Sequence, residues 1–306
     1  MRWLKIKQLF SPNQNYEWMF SHAANPAPII LNEDMEIVRV FFTSRNSQNI
    51  SHIGYVDVDF KNNFNILNIS DEPILSPGKL GLFDDSGTAM GYMIEHKSQY
   101  FLFYLGWNLK VTVPWLNTIG LAISESIDGP FRKVSLAPIM DRSNVDPYSI
   151  SYPSILKEGD IFRMWYGSNL NWGQCQDEMQ HVIKYAESFD LINWTRTNQI
   201  HLNLEHPNEY ALSKPWVRIK NNVFQMWYSY RGNRNIETYR IGYAESEDGI
   251  NWTRKDNEVG IDVSKNGWDS EMICYPSVID VNDKTYMLYN GNGYGKTGFG
   301  IAILKK

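Results

Sequence analysis

Short apolar stretches with alternating polar positions recur along the chain at a nearly constant interval. Five of them end in an aromatic residue followed by small or polar residues: VRVFFTSR, YFLFYLGWN, IFRMWYGSN, VFQMWYSYR and TYMLYNGNG. The aromatic anchors are spaced 62, 62, 62 and 61 residues apart, at Phe42, Tyr104, Tyr166, Tyr228 and Tyr289. Runs of this length and alternation predict β-strands, and a fixed period of this size predicts structural repeats.

A second apolar run precedes each anchor, and a third run follows it. Within the preceding runs, five aligned positions are spaced 63, 64, 62 and 61 residues apart, at Pro26, Ala89, Pro153, Pro215 and Pro276. In three repeats a turn and a fourth aromatic segment come next, as in DLINWTR and DGINWTR. Each repeat is therefore predicted to contain about four strands, which is typical of a β-propeller blade.

We predict an all-β protein that forms a single five-bladed β-propeller with four-stranded blades. The last repeat ends at IAILKK and lacks an outer strand, whereas Arg2 to Phe10 form an unassigned β-type run. Pairing this N-terminal strand with the last blade would close the ring and remove a sheet edge. A large β-sandwich, the alternative, explains neither the period nor the missing strand. The predicted domain is 1–306, with blades at about 20–80, 81–140, 141–205, 206–262, and 263–306 plus 1–12.

Composition excludes several classes of function. A net charge of -5 offers no basic face for nucleic acid, and no stretch has the length of a signal peptide or membrane span. We therefore expect a cytoplasmic protein without membrane insertion. Cys175 and Cys274 lack the spacing of a disulfide framework or zinc site, and the glycines of GNGYGKTGFG suit a turn better than a phosphate loop.

Acidic residues mark the start of the innermost strands in two repeats only. Just before the aligned Pro or Ala, the second repeat carries Asp84 and Asp85, and the fifth carries Asp269 and Glu271. In a propeller these positions ring one mouth of the central channel. Two carboxyl groups across a mouth suit glycoside hydrolysis, where one protonates the leaving oxygen and the other acts as base or nucleophile. A neighbouring acid also raises the pKa of one partner.

Glu271 and Asp85 are thus the predicted acid–base pair, with Asp84 and Asp269 as substitutes or tuners. The alternative is that Asp84, Asp85 and Asp269 cap turns at the blade entrance.

Aromatic and cationic residues near the predicted mouth are candidates for sugar binding. Trp107 and Trp172 lie outside the repeated positions that suit packing between blades, and flat rings and bidentate donors suit sugars or anions. No cofactor is predicted; a structural divalent ion at the axis near His22 and His52 is the alternative. The predicted substrate-binding residues are His22, Arg45, His52, Trp107, Trp172, Lys214, Arg231 and Asn290.

Through YPSI, MWYGS, IGYAESEDGINW and MWYSYRG, essentially the whole chain resembles the five-bladed propeller glycosidases. These include arabinanases, β-xylosidases, invertases, levansucrases and mannoside phosphorylases, in glycoside hydrolase families 32, 43, 68 and 130. The chain is more similar to a bacterial glycosidase-like group associated with surface-polysaccharide gene sets, through FDDSG, VTVPW, HVIKYAES, RIGYAES, GWDSEMICYP and YNGNGYGKTGFG. The resemblance implies a carbohydrate-active enzyme.

The sequence departs from the catalytic pattern that the resemblance implies. Those families carry a base or nucleophile Asp in the first blade, a tuning Asp in the second and an acid Glu in the third. Here the first blade reads SHAANPAP and the third YSISYPS, without an acid at the aligned position. Shifted by one blade, the pattern nearly returns, with Glu271 and Asp269 in blade five, His22 in blade one and Asp84 and Asp85 in blade two.

The predicted function is a glycoside hydrolase acting on a glycan or nucleotide-sugar-derived substrate. Inversion is expected if the two acids lie roughly 6.5–9.5 Å apart. Two alternatives stay open: a non-catalytic sugar-binding propeller in polysaccharide biosynthesis, and a glycoside phosphorylase with Arg45, Lys214 and Arg231 around phosphate. The expected partner is a carbohydrate and not a nucleic acid, and the oligomeric state is open.

Overall fold

The repeated runs are β-strands in the computed structural model, which describes residues 1–172, 179–232 and 237–305. The predicted all-β class is confirmed, since strands make up 55% and helices 2% of the structure. A 3₁₀ turn lies at Asp256–Glu258 and a helical turn at Asn292–Gly295. No helix within the described ranges is long and apolar enough to cross a membrane. Cys175 lies outside the described residues.

The strands are β1 (Trp3–Phe10), β2 (Ser21–Asn32), β3 (Ile37–Arg45), β4 (Ser51–Asp59), β5 (Asn65–Ile69), β6 (Gly87–His96), β7 (Gln99–Leu109), β8 (Trp115–Ser124), β9 (Arg132–Lys133), β10 (Ile150–Glu158), β11 (Ile161–Asn169), β12 (His181–Ser188), β13 (Thr195–Leu202), β14 (Ala211–Lys220), β15 (Val223–Arg231), β16 (Arg240–Ser246), β17 (Thr253–Arg254), β18 (Cys274–Val281), β19 (Lys284–Asn290) and β20 (Phe299–Leu304).

Antiparallel pairing gathers the strands into five groups of four, which we call units one to five. Units one to four are β2–β5, β6–β9, β10–β13 and β14–β17. Unit five consists of β18, β19 and β20 with β1, because β1 pairs with β20 from Trp3 opposite Leu304 to Phe10 opposite Phe299. The N-terminal strand therefore occupies the outer position of the last unit.

The hydrophobic core lies within and between the units. All five aromatic anchors are buried, and Phe42 of unit one shares a cluster with Leu288 of unit five. The innermost strands contact one another in the order β2, β6, β10, β14 and β18, and β18 contacts β2. Each innermost strand is thus flanked by those of two other units, as in the propeller fold.

The tyrosine anchor of four units donates to an acid, which is buried in units two, three and five and partly exposed in unit four. Each acid pairs with a cation on the outermost strand of its unit. In unit two, Asp84 accepts a hydrogen bond from the Tyr104 hydroxyl at 3.3 Å and pairs with Lys133 at 2.5 Å. In units two, three and five the acid lies in the loop before the innermost strand, whereas Asp256 of unit four follows the outermost strand. The triplets are Tyr104–Asp84–Lys133, Tyr166–Asp146–Arg196, Tyr228–Asp256–Arg254 and Tyr289–Asp269–Lys5.

The triplets give Asp84 and Asp269, two predicted catalytic residues, partners inside the fold. These residues are 1% and 2% exposed, and their carboxylates are bound by partners within their own units. A buried carboxylate needs a cation and hydrogen bonds to compensate for lost hydration. Both acids therefore hold the loop that enters the innermost strand, which agrees better with the structural alternative than with catalysis.

Candidate functional site

Residues from all five units line one pocket with a volume of about 690 Å³. It lies where the innermost strands meet, because each unit contributes side chains from the start of its innermost strand or from the adjoining strand ends. The lining includes polar and charged residues beside aromatic ones. Those with side chains suited to binding or proton transfer are His22, Asn25, Arg45, Trp107, Trp115, Tyr152, Asn169, His181, Arg231, Tyr239, Tyr275 and Tyr294.

A backbone irregularity interrupts four of the five innermost strands directly before a proline. Asn25, Tyr152, Lys214 and Tyr275 each precede a proline and have φ values of 57°, 36°, 51° and 53°. Strand register shifts across each of these positions. Proline lacks an N–H for the ladder, and such bulges redirect side chains beside functional sites. Left-handed backbone is unfavourable for a tyrosine or lysine, so the surrounding structure must hold these four residues in place.

Side chains from neighbouring units support these irregular positions. The Asn25 N–H donates to Oδ1 of Asn290 in unit five at 2.8 Å, and the Tyr275 N–H donates to Ser229 Oγ in unit four at 2.8 Å. The Asn290 amide also donates to the carbonyls of Ala23 and Gly298. Asn290 is fully buried and does not line the pocket. The structure thus places this predicted substrate-binding residue as a support for the pocket wall.

The pocket carries positive charge. Arg45 and Arg231 line it, and the part of the chain that the structure describes contributes no carboxylate to the lining. The Arg231 guanidinium lies over the rings of Tyr210 and Tyr239, at 4.9 and 4.8 Å, and donates to the Tyr294 hydroxyl at 3.0 Å. These rings fix its position, since a guanidinium binds favourably to aromatic faces. This arrangement can bind an anion.

Two histidines in the pocket are uncharged at neutral pH. Burial, together with nearby Arg45 and Lys296, lowers the pKa of His22 to about 4. Burial and the charge of Arg231 lower the pKa of His181 to about 3. Nε2 of His181 and Nδ2 of Asn169 are buried and have no hydrogen-bond partner among the described residues. Buried polar atoms are normally satisfied, so these two are available to a bound ligand or water.

Lys214 is the most unusual charged residue near the pocket. Its side chain is fully buried, and its amine has no hydrogen-bond partner among the described residues. The amine lies 5.1 Å from the ring of Trp216, which in turn contacts Tyr92 of unit two at 5.0 Å. Burial lowers the pKa of Lys214 to about 7. Its neighbour in sequence, Ser213, lines the pocket, whereas Lys214 does not.

The structure brings together only some of the residues predicted to bind substrate. His22, Arg45, Trp107 and Arg231 line the pocket. Trp172 contacts the ring of Trp115, a pocket residue, at 4.8 Å. His52 is not in the lining and shares a hydrogen bond with Ser76. Burial lowers the pKa of His52.

The predicted acid–base pair is not in the pocket either. Burial alone would raise the pKa of Asp85, but hydrogen bonds from Gly81, Asn108 and Ser86 outweigh it and lower that pKa. Asp85 is therefore ionised at neutral pH and unsuited to protonate a leaving group. The Glu271 side chain is exposed, and its backbone N–H donates to Asn292. Neither carboxylate lines the pocket, so the structure does not bring the predicted pair together there.

Several pocket residues went unnoticed in the sequence. The strongest missed group is Asn25, Tyr152 and Tyr275, each directly before an aligned proline. Their signal was available, because a proline in a central strand marks an interruption of the ladder. His181 and Tyr239 had no such signal, since they lie at the start of β12 and just before β16.

Comparison with known proteins places the chain among relatives. It is 44% identical over 305 residues to "Uncharacterized protein Rv1502" of Mycobacterium tuberculosis (strain ATCC 25618 / H37Rv), and the match covers 100% of both chains. The chain belongs to the same family as that protein. Its residues 186–305 also match the glycoside hydrolase 130 family model, described as β-1,4-mannooligosaccharide phosphorylase.

Solved structures show the same fold. The chain is similar to a glycoside hydrolase from a study of β-1,2 mannosidic linkages in the GH130 family of mannoside phosphorylases, with a TM-score of 0.74, 15% identity and coverage of 99% and 93%. A glycosyl hydrolase from Bacteroides ovatus has a TM-score of 0.73 and 14% identity, and the match covers 99% of this chain and 93% of that chain. A thermostable family-43 glycoside hydrolase has a TM-score of 0.70 and 15% identity, and the match covers 96% of this chain and 91% of that chain. The resemblance to propeller glycosidases is confirmed at the level of the fold.

Proposed function

We propose that the protein is a carbohydrate-active enzyme, and specifically a glycoside phosphorylase that acts at the pocket where the five units meet. The observation that carries the proposal is a cationic pocket with Arg45 and Arg231 in the lining; we assign the buried amine of Lys214, whose neighbour Ser213 lines the pocket, to the same anion site. Arginine and lysine are the side chains that bind phosphate. The match of residues 186–305 to a phosphorylase family model supports the same reaction.

Transfer of a glycosyl group to phosphate fits this set of side chains. A hydrogen phosphate oxygen would attack the anomeric carbon as the glycosidic C–O bond breaks, so no carboxylate is needed to activate water. The leaving oxygen needs a proton, and the hydroxyls of Tyr152, Tyr239 and Tyr275 are candidate donors. Burial raises the pKa of all three, that of Tyr239 to about 12, so they stay protonated at neutral pH. A tyrosine that gives its proton regains one from the attacking hydrogen phosphate.

A hydrolase of the predicted type would need different groups. It uses one carboxyl as acid and a second as base or nucleophile. Within residues 1–172, 179–232 and 237–305 the pocket lining offers neither. The same observation favours a second candidate function, a propeller that binds an anionic sugar without turnover.

The proposal includes the architecture around the site. We infer that units one to five are the blades of one closed propeller covering 1–306, with β1 as the outermost strand of the fifth blade. The pairing of β1 with β20 and the contact of β18 with β2 support closure.

Phosphate dependence tests the proposal directly. Purified protein would be incubated with manno-, gluco-, xylo- and arabino-oligosaccharides, with and without phosphate, and products followed by ³¹P NMR. A phosphorylase gives sugar phosphate and one shorter glycan only when phosphate is present. Release of free sugar without phosphate would instead support hydrolysis. Binding of a sugar phosphate by calorimetry, with no turnover in either direction, would support the recognition function.

Anion binding is expected to depend on pH through Lys214. The lowered pKa leaves this amine about half charged at pH 7 and uncharged above it, whereas His22 and His181 stay neutral above pH 5. Bound sulfate, whose charge is constant in this range, would favour the protonated amine. We expect its affinity to fall by up to about tenfold per pH unit above pH 7. Calorimetry from pH 6 to 9 measures this, and a flat profile in the native protein would contradict it.

A further inference from the structure

The hairpin of β7 and β8 in unit two carries an apolar face into the pocket. β7 has 11 residues, whereas the corresponding strands β3, β11 and β15 have nine each. Trp107 and Leu109 are two apart on β7, and Trp115 lies directly opposite Leu109 on β8. Residues with these relations share one face of an antiparallel pair. All three line the pocket, and Trp172 of unit three contacts Trp115 edge-to-face. We call these four residues the aromatic wall.

The aromatic wall is not part of the hydrophobic core. Of the 11 tryptophans, Trp107, Trp115 and Trp172 alone belong to or pack against none of the described core clusters. Leu109 is 68% exposed. Core packing therefore does not explain why these residues are apolar. Large side chains gathered in a pocket and left partly exposed are typical of ligand contacts.

The Trp107 ring is held in a fixed orientation. Its Nε1 donates to Ser51 Oγ of unit one at 2.8 Å. A Cβ on Gly87 would lie 2.3 Å from that nitrogen, so a residue with a side chain at this position would displace the ring. A ring fixed before ligand binding loses little conformational freedom when the ligand arrives.

Resting on the proposed function, we propose that the aromatic wall is a subsite for the sugar rings of a neutral oligosaccharide, in the same pocket as the cationic residues. One face of a pyranose presents C–H groups, which pack against the electron-rich face of an aromatic ring. The wall contains no charged side chain, which suits uncharged sugar units. Arg231 belongs to unit four, whereas the wall is built from β7 and β8 of unit two with Trp172 of unit three.

The pocket volume agrees with an extended ligand. About 690 Å³ lies within the range of about 300–1,000 Å³ that encloses drug-sized ligands. Such a volume exceeds the needs of one phosphate ion with a single sugar unit. The pocket therefore has room for an oligosaccharide, which is the substrate class that we propose.

Chain-length dependence of binding tests the aromatic wall without relying on turnover. Calorimetry would use the mono- to tetrasaccharides of the manno, gluco, xylo and arabino series with the native protein, Trp115→Ala, Trp115→Phe and Leu109→Ser. We expect affinity to rise with length in the native protein and Trp115→Phe. Trp115→Ala and Leu109→Ser should lose about tenfold for the trisaccharide and bind sulfate as before. Leu136→Ala removes an exposed apolar side chain of unit two outside the pocket and serves as the control.

The outcomes separate the aromatic wall from the proposed reaction. If affinity rises with chain length and Trp115→Ala abolishes that rise, but the native protein shows no turnover, the aromatic wall would be supported as a sugar subsite and the phosphorylase activity would be rejected. If the protein shows phosphate-dependent turnover, and both Trp115→Ala and Leu109→Ser bind the trisaccharide as tightly as the native protein, the phosphorylase activity would be supported. The role of the aromatic wall as a sugar subsite would then be rejected. Absence of binding to all four oligosaccharide series would also overturn the wall. Trp115 and Leu109 lie outside the core clusters, so both variants are expected to fold.

Discussion

Replacing Lys214 with methionine is expected to raise the melting temperature and to abolish phosphate-dependent turnover. The amine is fully buried, and burial lowers its pKa to about 7. Folding therefore removes a proton or buries an uncompensated charge, at a cost on the order of 4 kcal/mol near neutral pH. Methionine fills a similar volume without that cost. A gain of stability with loss of activity is the expected signature of a residue retained for function.

The gain in stability from Lys214→Met should decrease as the pH rises. Between pH 7 and 10.5 the unfolded lysine binds a proton that the folded one does not, so stability of the native protein rises with pH there. The advantage of Lys214→Met is therefore largest below pH 7 and shrinks toward pH 10.5. Thermal unfolding at several pH values measures it. The control is Lys220→Met, which is on the same strand as Lys214 and removes a partly exposed amine that pairs with Asp280 of β18. It should change stability little.

A lower melting temperature with retained turnover would show that the Lys214 amine serves the fold. Retained turnover with raised stability would remove Lys214 from the proposed anion site while leaving Arg45 and Arg231 in it. The two readouts thus separate a structural from a functional role for this residue.

The sequence predicted the repeated architecture because the signals of the first three strands of each unit are repeated five times. Anchors such as Tyr166 and Tyr228 must be buried in every unit, so their spacing survives divergence elsewhere. The pairing of β1 with β20 could be predicted by counting strands, because the last repeat is one strand short and the N-terminal run is unassigned. Neither inference depended on where a particular side chain points.

The candidate site was harder to predict because register gives the position of a residue and not the partners of its side chain. Asp84 and Asp269 were correctly located near the start of innermost strands, yet the Tyr–acid–cation triplets occupy their carboxylates. A recurring cation at the outer strand, such as Lys133 and Arg254, could have signalled this. The functional residues came instead from backbone irregularities before proline, as at Tyr152, which a reading based on regular alternation passes over.

Replacing Asp84 with asparagine is expected to destabilise the protein by on the order of 3 kcal/mol and to leave turnover of the folded protein unchanged. The substitution leaves the Lys133 ammonium, whose side chain is 18% exposed, without its carboxylate partner. Tyr104 can still donate to the new amide oxygen, so the cost comes mainly from the broken ion pair. Asp146→Asn in unit three should behave alike, because Asp146 is fully buried and pairs with Lys184 and Arg196.

Urea unfolding and specific activity below the unfolding transition distinguish this role from catalysis. Asp85→Asn is the matched comparison, since Asp85 adjoins Asp84 but forms no ion pair within the described residues; it should cost less stability than Asp84→Asn. A catalytic acid would instead lose activity by several orders of magnitude with little change in stability. That result for Asp84→Asn would restore the carboxylate mechanism and place the reaction outside the cationic pocket, because Asp84 does not line it. Loss of stability without loss of activity would leave the arginines and Lys214 as the groups that must explain the chemistry.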